Sequence, residues 1–286
     1  MSSVAAVNNA LPADRLAYSL QFVHLDKVYG RLPGWNDATV AAVWGIAPET
    51  LANIKAGFAQ AAERAARELL DEPDFAAQLK AWPMPVGSTI AVIGDSYVDD
   101  WQSWCEMLSR ALRLALPERL YTLLNAGFSG DTTADAIARF MRVVPQKPDY
   151  VIAAVGTNDA RLHGLHDEVQ PLISPHDTQR NLEALRRLAA AQLSVQGWWW
   201  LTPGQVIEQR MRTHWYLSPG QVWVRNRDLD AIARIVSARE EPVLDLRGVI
   251  GTPAEPTLLM DDGLHPSLEG HKAIARAVAK RLLSAT

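Results

Sequence analysis

A three-layer α/β/α sandwich on a five-stranded parallel sheet, preceded by an N-terminal helical extension, is the fold the sequence predicts. Three observations predict it. Beyond Trp82-Pro83-Met84-Pro85, short apolar runs alternate with amphipathic stretches. The runs are apolar at consecutive positions, as strands covered by helices on both faces require. Ahead of those prolines the apolar periodicity is helical.

The extension, residues 1–85, comes first. Tyr18 to Tyr29 reads as a short helix. A longer one starts near Pro48, which suits a first helical turn. It carries Leu51, Ile54, Phe58, Ala61, Ala62, Ala65 and Leu69 at helical spacing. Asp74 to Trp82 reads as another helix, ended by the prolines. Ala38 to Trp44, Gly45 and Glu49 to Phe58 have the outline of a helix-turn-helix. Charge argues against DNA, because residues 1–85 hold seven Lys and Arg against nine Asp and Glu. A cap over the substrate site and an oligomerisation element both remain open for this part.

In residues 86–286, strands are expected at Thr89 to Ile93, Tyr121 to Leu124, Tyr150 to Val155, Trp198 to Leu201 and Val243 to Leu246. Helices are expected over Trp101 to Leu116, Thr133 to Val144, Thr178 to Leu193 and Val222 to Ala238, with a last one capped by Ser267. Alternating strands and helices predict a parallel, doubly covered sheet. Such sheets carry their sites at the carboxyl ends of the strands. The Trp198-Trp199-Trp200 run falls in a strand, so its rings alternate between the two helix layers.

Composition narrows the function. The 286 residues are 48% hydrophobic with a net charge of -4, enough for a large core and too acidic to hold a polyanion. A single cysteine, Cys105, excludes an internal disulfide or a cysteine-rich metal site. The first 20 residues lack the basic and apolar regions of a secretory signal, and no run of 18 apolar residues occurs. A cytoplasmic protein with no membrane partner is the expectation.

Four segments follow the predicted strands. They are Gly94-Asp95-Ser96-Tyr97, the stretch Asn125 to Thr132, Gly156-Thr157-Asn158-Asp159, and Asp262-Gly263-Leu264-His265-Pro266. Each alone is a common turn, and Asp131 reads as a helix cap. Together, in this order and each after an apolar run, they resemble the Ser, Gly, Asn and Asp-x-x-His blocks of the SGNH hydrolases, the GDSL esterases and lipases. The resemblance spans about residues 86 to 286. It departs at Tyr97, where the family name has Leu, which bears on pocket shape.

The resemblance implies an SGNH, flavodoxin-like sandwich and a role for each residue. Ser96 would be the nucleophile of an acyl-enzyme. His265 would be the base, and Asp262 would orient it. The Asp-x-x-His spacing selects Asp262 over its neighbour Asp261. The backbone N–H groups of Ser96 and Gly130 and the amide of Asn158 would bind the oxyanion, each donor being worth roughly 3–4 kcal/mol in the transition state. Tyr97, Trp101 and His163 are the candidate substrate-binding residues. His163 and His166 have a spacing that could bind metal, but no neighbouring ligand pair supports it. His24, His176, His214 and His271 read as structural or surface groups. No cofactor and no metal are implied.

The expected function is hydrolysis of small carboxylic esters, with short acyl groups. One alternative is an acyltransferase using the same triad on an alcohol or sugar hydroxyl. Another is a partner-binding protein with a relic hydrolase domain. The intact Ser96, Gly130, Asn158, Asp262 and His265 argue against the relic. A homo-oligomer through the N-terminal helices is also open.

Overall fold

The computed structural model describes residues 11–163, 170–220 and 222–284. Strands β1 (Thr89–Gly94), β2 (Thr122–Gly127), β3 (Tyr150–Ala154), β4 (Gly197–Leu201) and β5 (Val243–Leu244) form one parallel sheet in the order β2-β1-β3-β4-β5. The chain leaves β1 to one side and returns to the other, so β1 lies at the topological switch point. Gly94 pairs with Gly127 on one side and with Ala154 on the other. Three strands therefore end level, and the loops that follow them emerge side by side.

Both sheet faces are covered. On one face Ile90, Val92, Ile152, Trp199 and Leu201 pack with helices α7 (Trp104–Ala115) and α13 (Leu268–Leu283). On the other, Ala91, Ile93, Val151, Ala153, Trp198 and Trp200 pack with α8 (Thr133–Phe140), α9 (Pro175–Gln192) and α11 (Asn226–Ser237), while the short α10 (Glu208–Thr213) and α12 (Arg247–Ile250) follow β4 and β5. The tryptophan run alternates between layers as the strand period demands. Trp200 also donates its indole N–H to Glu241 at 2.9 Å.

The extension contains α1 (Ala13–Phe22), α2 (Leu25–Tyr29), α3 (Asp37–Trp44), α4 (Pro48–Leu70) and α5 (Pro73–Lys80). Ala65, Ala66 and Leu69 of α4 and Phe75 and Leu79 of α5 join the first sheet-face core, against α7 and α13. Leu16, Leu20, Val40, Ala41 and Leu51 form a smaller core of the extension itself. Ion pairs add to the contact: Arg276 of α13 holds Glu72 through two bonds of 2.6 and 2.7 Å.

Several boundaries differ from the sequence expectation. The expected Tyr18 to Tyr29 helix breaks at Val23 and His24, where the buried His24 ring bonds Asp99 and the Gln21 carbonyl. The expected Trp101 to Leu116 helix starts later, at Trp104, and ends at Ala115. A short α6 (Ser96–Asp99) precedes that span, followed by a turn held by Asp100 accepting from the Gln102 N–H. Ser103 then caps α7. Thr132, not Asp131, caps α8 through a reciprocal box with Asp135, while Asp131 pairs with Arg139. Ser267 caps α13 as expected. No helix among the described residues is long and apolar enough to cross a membrane.

Candidate active site

β1 ends at Gly94, where the chain must turn tightly. A Cβ there would stand 2.4 Å from Val98 Cγ2 and 2.9 Å from the Ala154 carbonyl oxygen. Asp95 caps α6 by accepting from the Tyr97 N–H at 3.0 Å. This sets Ser96 as the first residue of that helix. His265 Nε2 lies 3.0 Å from Ser96 Oγ, and His265 Nδ1 lies 2.5 Å from Asp262 Oδ2. With the imidazole proton on Nδ1, Nε2 accepts the Ser96 O–H.

The loop after β5 builds the acid–imidazole pair locally. Asp262 Oδ1 accepts from the backbone N–H of Leu264 at 2.7 Å and of His265 at 2.9 Å. The Asp-x-x-His spacing thus folds back on itself. Burial opposes the charge of Asp262, but His265 and these bonds hold its carboxyl well below the usual range. Burial likewise pushes His265 down, yet the Asp262 charge and hydrogen bond outweigh it, and His265 is raised above its ordinary 6.5. A hydroxyl, an imidazole and a carboxylate in one buried chain can take a proton from the hydroxyl and hold it.

Two other loops meet this chain. Gly130 sits after β2 with φ +86, a conformation that favours glycine. Asp99 of α6 fixes its approach, since Asp99 Oδ2 accepts from the N–H and the hydroxyl of Ser129 at 2.7 and 2.8 Å. Asn158 lies in the 3₁₀ turn Thr157–Ala160 after β3 and donates to the Asp131 carbonyl at 3.1 Å. The buried carboxylate of Asp159 anchors that turn to Thr133 and Thr178, at the starts of α8 and α9. The N–H groups of Ser96 and Gly130 have no acceptor among the described residues. They are available to an oxyanion.

The extension reaches into the site. Tyr18 donates its hydroxyl to Asp262 Oδ2 at 2.7 Å, the oxygen that His265 also uses. Burial and the adjacent Asp262 push the Tyr18 hydroxyl far up, so it stays a donor. The Phe22 ring stacks on His265, with centroids 4.0 Å apart and planes 21° apart. Gln21 donates to Asp100 at 2.6 Å, and Lys27 pairs with Asp99 and donates to the Gly127 carbonyl at 2.8 Å. These residues carry no motif in the sequence. Their partners lie 72 to 244 positions away, which local spacing does not register.

A cavity of about 250 Å³ opens beside Ser96 and His265. Gly130 and Asn158 line it, with Phe22, Leu25 and Val28 from the extension and Phe128, Tyr216, Leu217 and Leu264 from the sandwich. The three expected substrate-binding residues are not among those lining it. Tyr97 is buried and donates its hydroxyl to the Leu264 carbonyl at 2.7 Å, so it braces the His265 loop. Trp101 turns to the extension, its indole N–H donating to the Leu20 carbonyl at 3.1 Å. His163 accepts from Arg161 Nε at 3.1 Å and stands behind it. His166 lies outside the described residues. His24, expected as a structural or surface group, is buried and lines the cavity. A larger groove of about 860 Å³ between α9 and α11 shares no residue with this site.

The level strand ends, with serine, glycine, asparagine and Asp-x-x-His loops converging on one cavity, define the SGNH class of hydrolase. The chain matches the model of the GDSL-like lipase/acylhydrolase family over residues 92–273, and it belongs to that family. It is 33% identical over 110 residues to esterase TesA of Pseudomonas aeruginosa, covering 36% of this chain and 49% of TesA. It is 39% identical over 82 residues to the uncharacterized lipoprotein YqeF of Bacillus subtilis, covering 28% of this chain and 30% of YqeF. The chain thus spans about half or less of the length of these curated relatives. Among solved structures it resembles LAE5, an alpha/beta hydrolase enzyme from the metagenome of Lake Arreo. That match has a TM-score of 0.53 at 26% identity, over 70% of this chain and 97% of LAE5. It shares its fold with Axe2, an acetylxylan esterase from Geobacillus stearothermophilus, with a TM-score of 0.51 at 22% identity over 70% of this chain and 96% of Axe2.

Proposed function

We propose that the protein is a serine esterase that cleaves small carboxylic esters through a covalent acyl-enzyme. The observation that carries this reading is the Ser96 Oγ to His265 Nε2 contact of 3.0 Å, backed by Asp262, beside two uncommitted backbone N–H groups. Ser96 attacks the ester carbonyl while its proton passes to His265 Nε2. The carbonyl oxygen becomes an oxyanion that accepts from the N–H groups of Ser96 and Gly130 and from the Asn158 amide. The tetrahedral species collapses, the C–O bond to the alcohol breaks, and His265 returns the proton to the leaving oxygen. Water then attacks the acyl carbon with His265 again as base, releasing the acid and restoring Ser96. Asp262 stays ionised and stabilises the imidazolium.

The narrow cavity favours short acyl groups. Residues 1–85 act as a cap on this reading, since Phe22, Val23, His24, Leu25 and Val28 supply one wall. The wall excludes water and strengthens the hydrogen bonds at the oxyanion.

Hydrolysis of p-nitrophenyl acetate by the wild type and Ser96→Ala tests the proposal. The wild type is expected to turn over and the variant to lose about a thousandfold or more. Equal rates would sink it. Product analysis with an added alcohol separates hydrolysis from acyl transfer, transfer being indicated if the new ester outweighs the free acid.

A further inference from the structure

Among the described residues lining the cavity, Arg161 bears the one permanent charge, and the rest of that lining is mostly apolar. Its backbone is fixed on both sides. The Arg161 N–H donates to the Asn158 carbonyl at 3.1 Å, and its carbonyl accepts from Leu172 at 2.9 Å. Nε donates to His163 Nε2 at 3.1 Å, which sets the plane of the guanidinium. Nη1 and Nη2 have no hydrogen-bond or carboxylate partner among the described residues. A Cβ built on Gly130 would stand 3.9 Å from Nη1, so the free end lies beside the oxyanion glycine.

The contrast with neighbouring cations is informative. Lys27 is matched to Asp99 and Arg139 to Asp131. Burial lowers Arg161 from its ordinary value, with Asp135 and Tyr216 opposing, and no carboxylate among the described residues pairs with it. Half-burying a cation costs free energy unless an anion offsets it. The fork geometry of a guanidinium suits a planar carboxylate, which it can hold through two N–H groups. His163 is itself held neutral, since burial and the adjacent Arg161 push its pKa down, so it serves as an acceptor for Nε.

We propose that Arg161 is the anion-binding residue of the substrate pocket, and that the preferred esters carry a carboxylate a few bonds from the scissile carbonyl. The inference rests on the esterase reading and names its substrate class. The carboxylate could belong to the acyl part or to the alcohol part. Both use the same chemistry at Arg161.

Two matched pairs distinguish these sources. Monoethyl succinate against ethyl levulinate places the anion on the acyl side. O-acetylglycolate against acetoxyacetone places it on the alcohol side. In the wild type, kcat/KM for the anion of one pair is expected to exceed its neutral partner by about tenfold or more, the scale of a charge-assisted hydrogen bond. Arg161→Gln should collapse that ratio, and Arg161→Lys should keep part of it. The same anion should also protect Ser96 from a fluorophosphonate label better than its neutral partner does.

No anion preference in either pair overturns the inference and leaves the esterase reading standing, provided the neutral esters are cleaved through Ser96. Equal losses on both members of each pair in Arg161→Gln would also overturn it, because they would make Arg161 a support of the oxyanion loop. No hydrolysis of any of the four esters, with no fluorophosphonate labelling of Ser96, would defeat the esterase reading and this inference together.

Discussion

Asp262 Oδ2 accepts from two donors, His265 Nδ1 and the Tyr18 hydroxyl. This shared oxygen makes the charge on His265 the quantity that pH reports. In the proposed mechanism His265 must be neutral to take the Ser96 proton, and its pKa is raised above 6.5 once Asp262 outweighs burial. Activity should therefore rise with pH along an acid limb whose midpoint lies above 6.5 in a kcat/KM profile. Tyr18→Phe removes one donor from Oδ2 and leaves that oxygen more basic towards His265. The acid limb should then move up by less than about one pH unit, the scale of one hydrogen bond. An unmoved limb would reduce Tyr18 to packing. Ser96, Gly130, Asn158, Asp262 and His265 were singled out in the sequence because their four blocks, each a common turn alone, together resemble one family. Tyr18, Phe22 and Arg161 were not. Their environment comes from tertiary contacts, and an isolated Tyr, Phe or Arg has no local signature. Tyr97 and Trp101 misled for the converse reason: adjacency to Ser96 in the chain does not fix which way a side chain turns.

At the scale of elements, the paired ends of β1, β2 and β3 bring three loops to one place. All five strands were legible as apolar runs between turn residues, but their order was not, because right-handed crossovers allow several orders. The breaks at Val23–His24 and Asp100–Ser103 were hidden. They are made by buried side-chain hydrogen bonds to distant residues and to the turn itself, while the apolar periodicity runs on through them. The packing of the extension was equally hidden, since α4 shows an apolar stripe but not its partner. Leu69 of α4 is fully buried in the core that α7 and α13 share. Leu69→Ala should cost about 2–5 kcal/mol in urea unfolding, as for other buried leucines. A cost below about 0.5 kcal/mol, the range of surface changes, would mean that the extension is only loosely attached.

Across the whole molecule, one core joins residues on both sides of the Trp82 to Pro85 boundary, Leu69, Phe75 and Leu79 with Ile90, Val92 and Ile152. Tryptophan fluorescence and far-ultraviolet circular dichroism should therefore report a single, coincident urea transition. Two separated transitions would restore a free-standing front third. The proposed cap role depends on that union, because Phe22 can cover His265 only while α1 is anchored. The intact protein also gives the most direct test of the acyl-enzyme. Mixing it with p-nitrophenyl acetate, quenching in acid and weighing the whole chain by mass spectrometry should show one added acetyl group in the wild type. The adduct should map to Ser96 and be missing from Ser96→Ala. An acetyl group that persists in Ser96→Ala, or wild-type turnover with no adduct under single-turnover conditions, would contradict the account.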